Sequence, residues 1–245
     1  MNIGVIFAGG TGQRMHSKSL PKQFLKIYDK PIIIYTLEHF QQCEDIDAIV
    51  ISCLESWIEY LQDLVEKYQI TKVRKIVPGG ETGQLSIYSG IKAAEEISNG
   101  DKNTKVLIHD GVRPMINEKL LADCVKCVHE KGSAITAGLV TETIVVVDSD
   151  NQMVEVPNRE NSRVAKAPQC FYLDDILAAH EKALSENRIN FIDSCSLMKH
   201  YGYDLFMIDG PYENIKITTP TDYYTMRAYL EAKENAQIYV PVGEE

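Results

Sequence analysis

The first 25 residues combine a short apolar run with a cluster of glycines. Residues 3–8, IGVIFA, carry no charge and are rich in β-branched and aromatic side chains, which is typical of a strand buried in a parallel sheet. Three of the next four residues are glycines. Backbone without side chains can turn sharply and direct its N–H groups at phosphate oxygens. The pattern predicts a phosphate-binding turn formed by Ala8, Gly9, Gly10, Thr11 and Gly12.

Two cations follow this turn and favour a polyanion site. They are Arg14 and Lys22, the latter just beyond Pro21. Met15 stands where a dinucleotide fingerprint needs its third glycine, and the Gly-Lys-Ser/Thr of a P-loop is absent, so the two common phosphate-binding signatures are excluded. The glycines alone would also allow a plain structural turn.

Strands and helices alternate through the first half of the chain. Apolar runs at 48–53, 73–77 and 105–109 predict buried strands, and helical periodicity covers 31–42, 57–68 and the residues after 83. This alternation predicts an α/β fold with a mostly parallel twisted sheet and helices on both faces. Such a sheet binds ligands at the carboxyl ends of its strands.

Two of these predicted strand ends carry candidate site residues. Residues 78–83, PGGETG, form a second glycine turn, where the backbone at Gly80 can approach a flat base and Ser86 could donate a hydrogen bond to it. A helix entry chosen for turn geometry alone is the alternative. Asp110 follows the strand 105–109 and is placed to hold Mg²⁺. Arg113 could steady that carboxylate or reach a phosphate, although a salt-bridged turn would explain both residues.

The second half of the chain interrupts the alternation. A helix over 117–131 and a strand over 133–139 are followed by two candidate strands, 143–147 and 153–156, joined by a polar turn. A hairpin protruding from such a domain usually needs a partner to cover it. We further expect helices over 173–186 with Asp174 as N-cap, from Asp193 to 201, and from Thr219 to 233 against the sheet. Strands are expected over 205–208 and 214–218, where Lys216 requires an anionic partner.

Composition limits the class of protein. The 245 residues, 44% apolar and 24% charged, suit one soluble domain over 1–245. The net charge of −10 argues against nucleic acid as a partner, and no apolar window is long enough to span a membrane. We expect a cytoplasmic protein whose six cysteines are reduced. A redox or metal role for the Cys124-x-x-Cys127 pair is a minor alternative.

Several motifs resemble those of one family. They are Phe7-Ala8-Gly9-Gly10 with Arg14-Met15, Pro21-Lys22-Gln23-Phe24-Leu25, Gly80 with Ser86, His109-Asp110-Gly111-Val112-Arg113-Pro114, and Asn214-Ile215-Lys216. In this order they resemble the cytidylyltransferases that act on methylerythritol 4-phosphate and ribitol 5-phosphate, over about residues 2 to 232. The resemblance implies a Rossmann-like nucleotidyltransferase fold that binds CTP and Mg²⁺. It also implies a homodimer formed through an arm over 140–165.

The resemblance also assigns roles to individual residues. Arg14, Lys22 and Lys216 would be catalytic and Asp110 would hold the metal. Nucleotide contacts would come from the first glycine turn, Gly80, Ser86 and Arg113. Acceptor contacts would come from Thr143, Asp193 and Arg159, the last of these from the neighbouring subunit.

These cations suit attack by a substrate phosphate on the α-phosphorus of CTP, with release of pyrophosphate. Because a phosphate is already anionic near pH 7, no general base is required. Ribitol 5-phosphate is the favoured acceptor, methylerythritol 4-phosphate the alternative, and another alditol phosphate remains open. Ala167 and Ile192 stand where the family commonly has threonine or serine, which places the acceptor in question. A catalytically silent subunit that senses CTP is the hypothesis from a different functional class.

Overall fold

A computed structural model describes residues 1–10, 15 and 20–236. The strands are β1 (Asn2–Ala8), β2 (Lys26–Ile27), β3 (Lys30–Pro31), β4 (Ala48–Cys53), β5 (Val73–Pro78), β6 (Lys105–Asp110), β7 (Ser133–Leu139), β8 (Val146–Val147), β9 (Met153–Glu155), β10 (Arg163–Tyr172) and β11 (Met207–Asp209). The helices are α1 (Ile32–Gln42), α2 (Ile58–Lys67), α3 (Gly83–Ser98), α4 (Glu118–Lys131), α5 (Leu173–Ser185), α6 (Ser194–His200) and α7 (Pro220–Ala236).

Seven strands form one sheet in the order β11-β7-β10-β6-β1-β4-β5. β1 pairs in parallel with β4 and β6, and β4 pairs in parallel with β5. β10 is antiparallel to both of its neighbours, β6 and β7. The predicted mostly parallel sheet is therefore confirmed. Its central strand is β6, which ends at Asp110, and β1, which leads into the first glycine turn, lies beside it.

The sheet has a hydrophobic core on each face because successive side chains of a strand point to opposite sides. Ile6 belongs to the cluster that includes residues of α1, α2 and α4. Val5 belongs to the cluster that includes residues of α3, α5 and α6. The predicted helices on both faces are confirmed, and the assignment of residues 1–245 to one domain stays a prediction.

Strand β10 was not predicted, because Pro168 in its middle argues against a central strand. β10 pairs with β7 at 163–165 and again at 169–171, with an irregularity between Ala165 and Gln169. The three carbonyls in this interval are bound by side chains instead: Gln169 donates to the Lys166 oxygen (3.3 Å), Asn214 to that of Ala167 (2.8 Å) and Thr136 to that of Pro168 (2.7 Å). The carbonyls of this interval are therefore satisfied without backbone pairing to β7.

Several predicted boundaries near the C-terminal end are wrong. Residues 214–218 form no strand; they are an extended segment in which Ile217 N donates to Val112 O over 2.8 Å. α7 does not pack on the sheet, since its one buried residue, Met226, belongs to a cluster with Met15, Ile27 and other residues beyond the strand ends. The expected strand at 205–208 lies at Met207–Asp209.

Helix starts were predicted with mixed success. Asp174 is not an N-cap: the cap position of α5 is Tyr172, and Asp174 lies in the first turn. Asp193 is the N-cap of α6 and accepts from Ser196 N over 2.9 Å. The predicted start of α7 is confirmed, with Asp222 accepting from Thr218 N and Thr219 N. The two carboxylates satisfy free N–H groups from opposite sides, since Asp193 reaches forward into the first turn of α6 and Asp222 reaches back to the residues before α7.

The predicted hairpin exists and is shorter than expected. β8 and β9 pair only with each other, and Thr143 lies before the first of them. The cysteines are all free, five of them buried, and Cys127 lies on α4 with its thiol 3.3 Å from Ser133 O. The expected core location therefore holds for these five thiols, and their reduced state stays a prediction. None of the described helices is long and apolar enough to cross a membrane.

Candidate active site

A cleft of about 350 Å³ opens at the carboxyl ends of β1, β5 and β6. It brings together both glycine turns and four charged side chains, those of Lys22, Glu81, Asp110 and Lys216. Of the predicted site residues, it is lined by Ala8, Gly9, Gly10, Lys22, Gly80, Ser86, Asp110 and Lys216. Thr11, Gly12 and Arg14 lie outside the described residues. The parallel strands explain this convergence, since their carboxyl ends meet at one edge of the sheet.

Lys22 lies on a short 3₁₀ turn, Lys22–Phe24, that is fastened to the sheet. Gln23 donates from Nε2 to the carbonyl of Ala8 over 2.7 Å, and the buried Phe24 ring stacks on Trp57 with centroids 5.1 Å apart. Lys22 itself donates to the carbonyl of Ile217 over 3.2 Å. The lysine is thus held against both the first strand end and the segment that carries Lys216.

Ser86 joins the two glycine turns. Its hydroxyl accepts from Gly80 N over 3.2 Å and lies 3.0 Å from Thr82 O. A methyl group at Gly9 would lie 2.8 Å from the Ser86 oxygen, and one at Gly80 would lie 2.4 Å from the Leu85 Cβ. Close approach therefore requires glycine at both positions. The serine orders the turn in this structure, and its predicted contact with a base stays a prediction.

A buried carboxylate holds two cations at the base of the cleft. Asp110 Oδ1 lies 2.5 Å from Lys216 Nζ, and Oδ2 lies 3.3 Å from Arg113 Nε. Arg113 also donates to the carbonyl of Asn214 over 3.0 Å, and Lys216 lies over the Phe7 ring at 5.7 Å. Lys216 therefore has the anionic partner that its sequence position required.

The charge state of Asp110 follows from these contacts. Burial alone would raise the pKa of this carboxyl, but Lys216 and Arg113 outweigh it and hold the pKa below its ordinary value. No group of three His, Cys, Asp or Glu side chains suited to a metal occurs in the described part of the chain. Mg²⁺ commonly takes one or two carboxylates together with substrate phosphates and water. A single ionised carboxylate with remaining lone pairs fits that requirement when phosphate is bound.

A second compartment of about 280 Å³ adjoins the first. The two share Phe7, Gly83, Asp110 and Lys216 in their walls. Arg113 and Asp193 line only the second. Asp193 accepts hydrogen bonds from Ser196 and from Gln169 Nε2, the latter over 3.0 Å, so it organises the wall of the second compartment. Burial would raise the pKa of Asp193, and these donors reverse that and lower it.

The structure does not bring every predicted residue to these compartments. Thr143 and Arg159 line neither of them. Arg159 is exposed beside the hairpin, and it donates to Thr141 O at 3.4 Å. Within a single chain the acceptor-binding set is therefore divided, with Asp193 at the compartment and the other two on the arm.

Sequence reasoning missed three side chains of the site. Gln23 orients the first turn, while Lys166 and Gln169 line the second compartment. Lys166 and Gln169 lie on either side of Ala167-Pro168. They were not predicted as site residues because β10, the strand that carries them, was not predicted. The available signal was a lysine and a glutamine beside the buried run Cys170-Phe171, which indicates polar residues at the end of a strand.

A glycine-walled cleft at the ends of parallel strands, with two lysines and the buried carboxylate of Asp110 around it, is typical of a nucleotidyltransferase. The family model described as "IspD: 2-C-methyl-D-erythritol 4-phosphate cytidylyltransferase" matches residues 3–232. The chain therefore belongs to this family of cytidylyltransferase enzymes, which confirms the resemblance found in the motifs.

Individual relatives cover almost the whole chain. A ribitol-5-phosphate cytidylyltransferase of Streptococcus agalactiae serotype III is 51% identical over 98% of this chain and 99% of its own length. A 2-C-methyl-D-erythritol 4-phosphate cytidylyltransferase of Clostridium botulinum is 39% identical over 94% and 97%. The crystal structure of 4-diphosphocytidyl-2C-methyl-D-erythritol synthase from Anaerococcus prevotii superposes with a TM-score of 0.80 at 28% identity, covering 94% and 96%. The structural likeness confirms the predicted fold class.

Proposed function

We propose that this enzyme transfers CMP from CTP to D-ribitol 5-phosphate, forming CDP-ribitol and pyrophosphate. The observation that carries the proposal is the pair of adjoining compartments that share Asp110 and Lys216. One compartment has two glycine turns for a nucleotide, and the other has room and charge for a second phosphorylated substrate. Two anionic substrates can therefore meet at a shared cationic wall.

The reaction requires positioning more than proton transfer. A phosphate oxygen of the acceptor attacks the α-phosphorus of CTP, and the bond from that phosphorus to the oxygen bridging to the β-phosphate breaks. The acceptor phosphate is largely dianionic at pH 7 and needs no base. Lys22 and Lys216 stabilise the charge that collects on the α-phosphate oxygens and the leaving pyrophosphate. Arg14 is assigned the same task from its place in the sequence.

Asp110 is the residue we assign to Mg²⁺. Its buried, ionised carboxylate lies at the wall shared by the two compartments. A divalent cation there would neutralise part of the triphosphate charge. Lys216 and Arg113 hold the carboxylate oriented and ionised before nucleotide binds.

The acceptor is inferred from the relatives. Those named for ribitol 5-phosphate are about 50% identical to this chain, against 39% for those named for methylerythritol 4-phosphate. Methylerythritol 4-phosphate is the second candidate, because the matching family model carries its name.

A pyrophosphate-release assay with CTP and Mg²⁺ tests the function. We expect kcat/KM for D-ribitol 5-phosphate to exceed that for methylerythritol 4-phosphate, arabinitol phosphate or mannitol phosphate by about 10-fold or more, a discrimination worth about 1.4 kcal/mol. Mass spectrometry should detect CDP-ribitol. A preference for methylerythritol 4-phosphate would support the second candidate, and no release with any acceptor despite CTP binding would contradict the proposal.

Dimerisation through residues 140–165 belongs to the same proposal. Apolar side chains are exposed on and beside the hairpin, and an exposed apolar patch of this kind favours association with a partner. They are Val145, Val146, Val147, Met153, Val154 and Val156. A second copy would cover this surface and could carry Thr143 and Arg159 to the neighbouring acceptor compartment.

Val154→Glu is expected to shift the protein from dimer to monomer in light scattering, since a buried unpaired carboxylate opposes association. Val154 is 59% exposed in the single chain. Tyr224→Glu, at a 63% exposed position on α7, is the matched control and should leave the dimer intact. A wild-type protein that is monomeric at assay concentration would contradict dimerisation.

A further inference from the structure

We propose that the ammonium of Lys166 binds the phosphate of the acceptor and thereby contributes to the choice of acceptor. This inference rests on the proposed cytidylyl transfer and extends it by one residue. Lys166 lines the second compartment together with Arg113 and Lys216. No role for Lys166 follows from the sequence motifs.

The carboxylates of the second compartment do not neutralise Lys166. Asp110 is engaged by Lys216 and Arg113, and Asp193 caps α6 and accepts from Gln169. Within the described part of the chain, Lys166 forms no ion pair within 4.0 Å. Among the described residues that line this compartment, the ammonium of Lys166 is therefore not ion-paired, which favours the binding of an anion.

The side chain of Lys166 is held in place by its surroundings. It lies across Gly138 of β7, where a methyl group would come within 2.8 Å of Lys166 Cε and 3.2 Å of Nζ. The ammonium donates to the carbonyl of Tyr212 over 3.3 Å. A contact to one neutral carbonyl leaves two ammonium hydrogens for another acceptor. The Lys166 side chain is thus packed on the β7 backbone at a position where only glycine leaves room for it.

The electrostatic surroundings favour an anion over a neutral hydroxyl. Burial, and then the neighbouring Arg113, lower the pKa of Lys166, while Glu213 opposes them. The charged form is therefore poorly solvated and repelled by a second cation. A phosphate dianion relieves both effects, whereas a polyol hydroxyl relieves only the missing hydrogen bond.

Steady-state kinetics with D-ribitol 5-phosphate test this role. Lys166→Gln is expected to raise the KM for the acceptor about 10- to 100-fold, the value of one hydrogen bond to a charged group, with kcat and the KM for CTP within about 3-fold of wild type. Lys166→Arg keeps the charge and should recover most of the loss. Gly138→Ala removes no charge but displaces the lysine, so it should raise the acceptor KM by a smaller factor.

Lys72→Gln is the matched control. Lys72 also donates to a backbone carbonyl, that of Cys43 at 2.6 Å, and lines neither compartment. Its removal should leave both KM values unchanged. An unchanged acceptor KM in folded Lys166→Gln, an equal rise in the KM for CTP, or failure of Lys166→Arg to recover activity would each overturn the proposal.

Calorimetry separates this inference from the assigned reaction. Inorganic phosphate should bind wild-type protein at least about 10-fold more tightly than Lys166→Gln, whatever the enzyme transfers. Unphosphorylated ribitol should bind both proteins equally weakly. If Lys166→Gln weakens ribitol binding and spares phosphate binding, the lysine contacts hydroxyls and the phosphate assignment is wrong. An inactive wild type with phosphate binding that depends on Lys166 would contradict only the proposed reaction.

Discussion

Replacement of Lys216 by alanine is expected to lower kcat by about 10²- to 10³-fold, the typical loss when one preorganised charge-stabilising donor is removed. Lys216 stands in the wall that both compartments share. Asp110 and the Phe7 ring hold its ammonium there in the absence of substrate. Because the Lys216 ammonium is already in position, little reorganisation is needed when negative charge collects on the α-phosphate in the transition state. The measurement is pyrophosphate release at saturating CTP and acceptor.

Lys105→Ala provides a matched control for this prediction. Lys105 begins β6, the strand that ends at Asp110, and its ammonium lies 5.6 Å from the Tyr172 ring, close to the 5.7 Å between Lys216 and Phe7. It lines neither compartment, so its loss should leave kcat within about 2-fold of wild type. A Lys216→Ala enzyme that is folded and turns over near the wild-type rate would remove Lys216 from the catalytic set.

Asp110→Asn should lower kcat/KM by about 10²-fold or more and shift the response to added Mg²⁺ to higher concentration. The amide keeps the size of the side chain but supplies no negative charge for a metal ion or for Lys216 and Arg113. Titration of activity with Mg²⁺ measures both effects. A thermal melt shows whether the loss arises from unfolding, because two cations would then stand without their shared carboxylate.

Two comparisons make the Asp110 result interpretable. Asp101→Asn removes a carboxylate near the other end of β6 that is paired with the N-terminal ammonium over 2.9 Å, and it should retain full activity. The double variant with Lys216→Ala should lose little more than either single variant, since residues that act as one unit are not additive. Additive losses and an unchanged Mg²⁺ response would contradict the assignment of Asp110.

Elements with strong periodicity were predicted correctly from the sequence. Strands β4 and β7 begin and end at the predicted residues, because each is an uncharged and largely apolar run that begins after a turn-forming residue, Asp47 or Gly132. Lys216 was expected beside an anion because an unpaired ammonium between apolar neighbours is costly, and Asp110 was expected at a strand end beside Mg²⁺ or Arg113. The sequence thus predicted the part of the site that follows directly from strand ends.

The errors have a common physical cause, which is that long-range contacts override local pattern. Residues 214–218 alternate like a strand, yet their hydrogen bonds go to Val112 and to the side chains of Arg113 and Lys22. β10 contains a proline, yet Thr136 of β7, Asn214 and the strand's own Gln169 satisfy its carbonyls. Nothing in the local sequence reports such partners. Lys166 and Gln169 were missed for the same reason.

Between Ala165 and Gln169 of β10, side chains bind the carbonyls in place of backbone pairing to β7. This interval affects which substitutions the enzyme can tolerate. Elsewhere in the sheet, a substitution must suit the neighbours on both sides. At 166 and 167 the chain is anchored through its carbonyls by Gln169 and Asn214, so side-chain substitutions there leave these main-chain hydrogen bonds in place. New acceptors can therefore be explored at these two positions while the scaffold and the nucleotide half stay as they are.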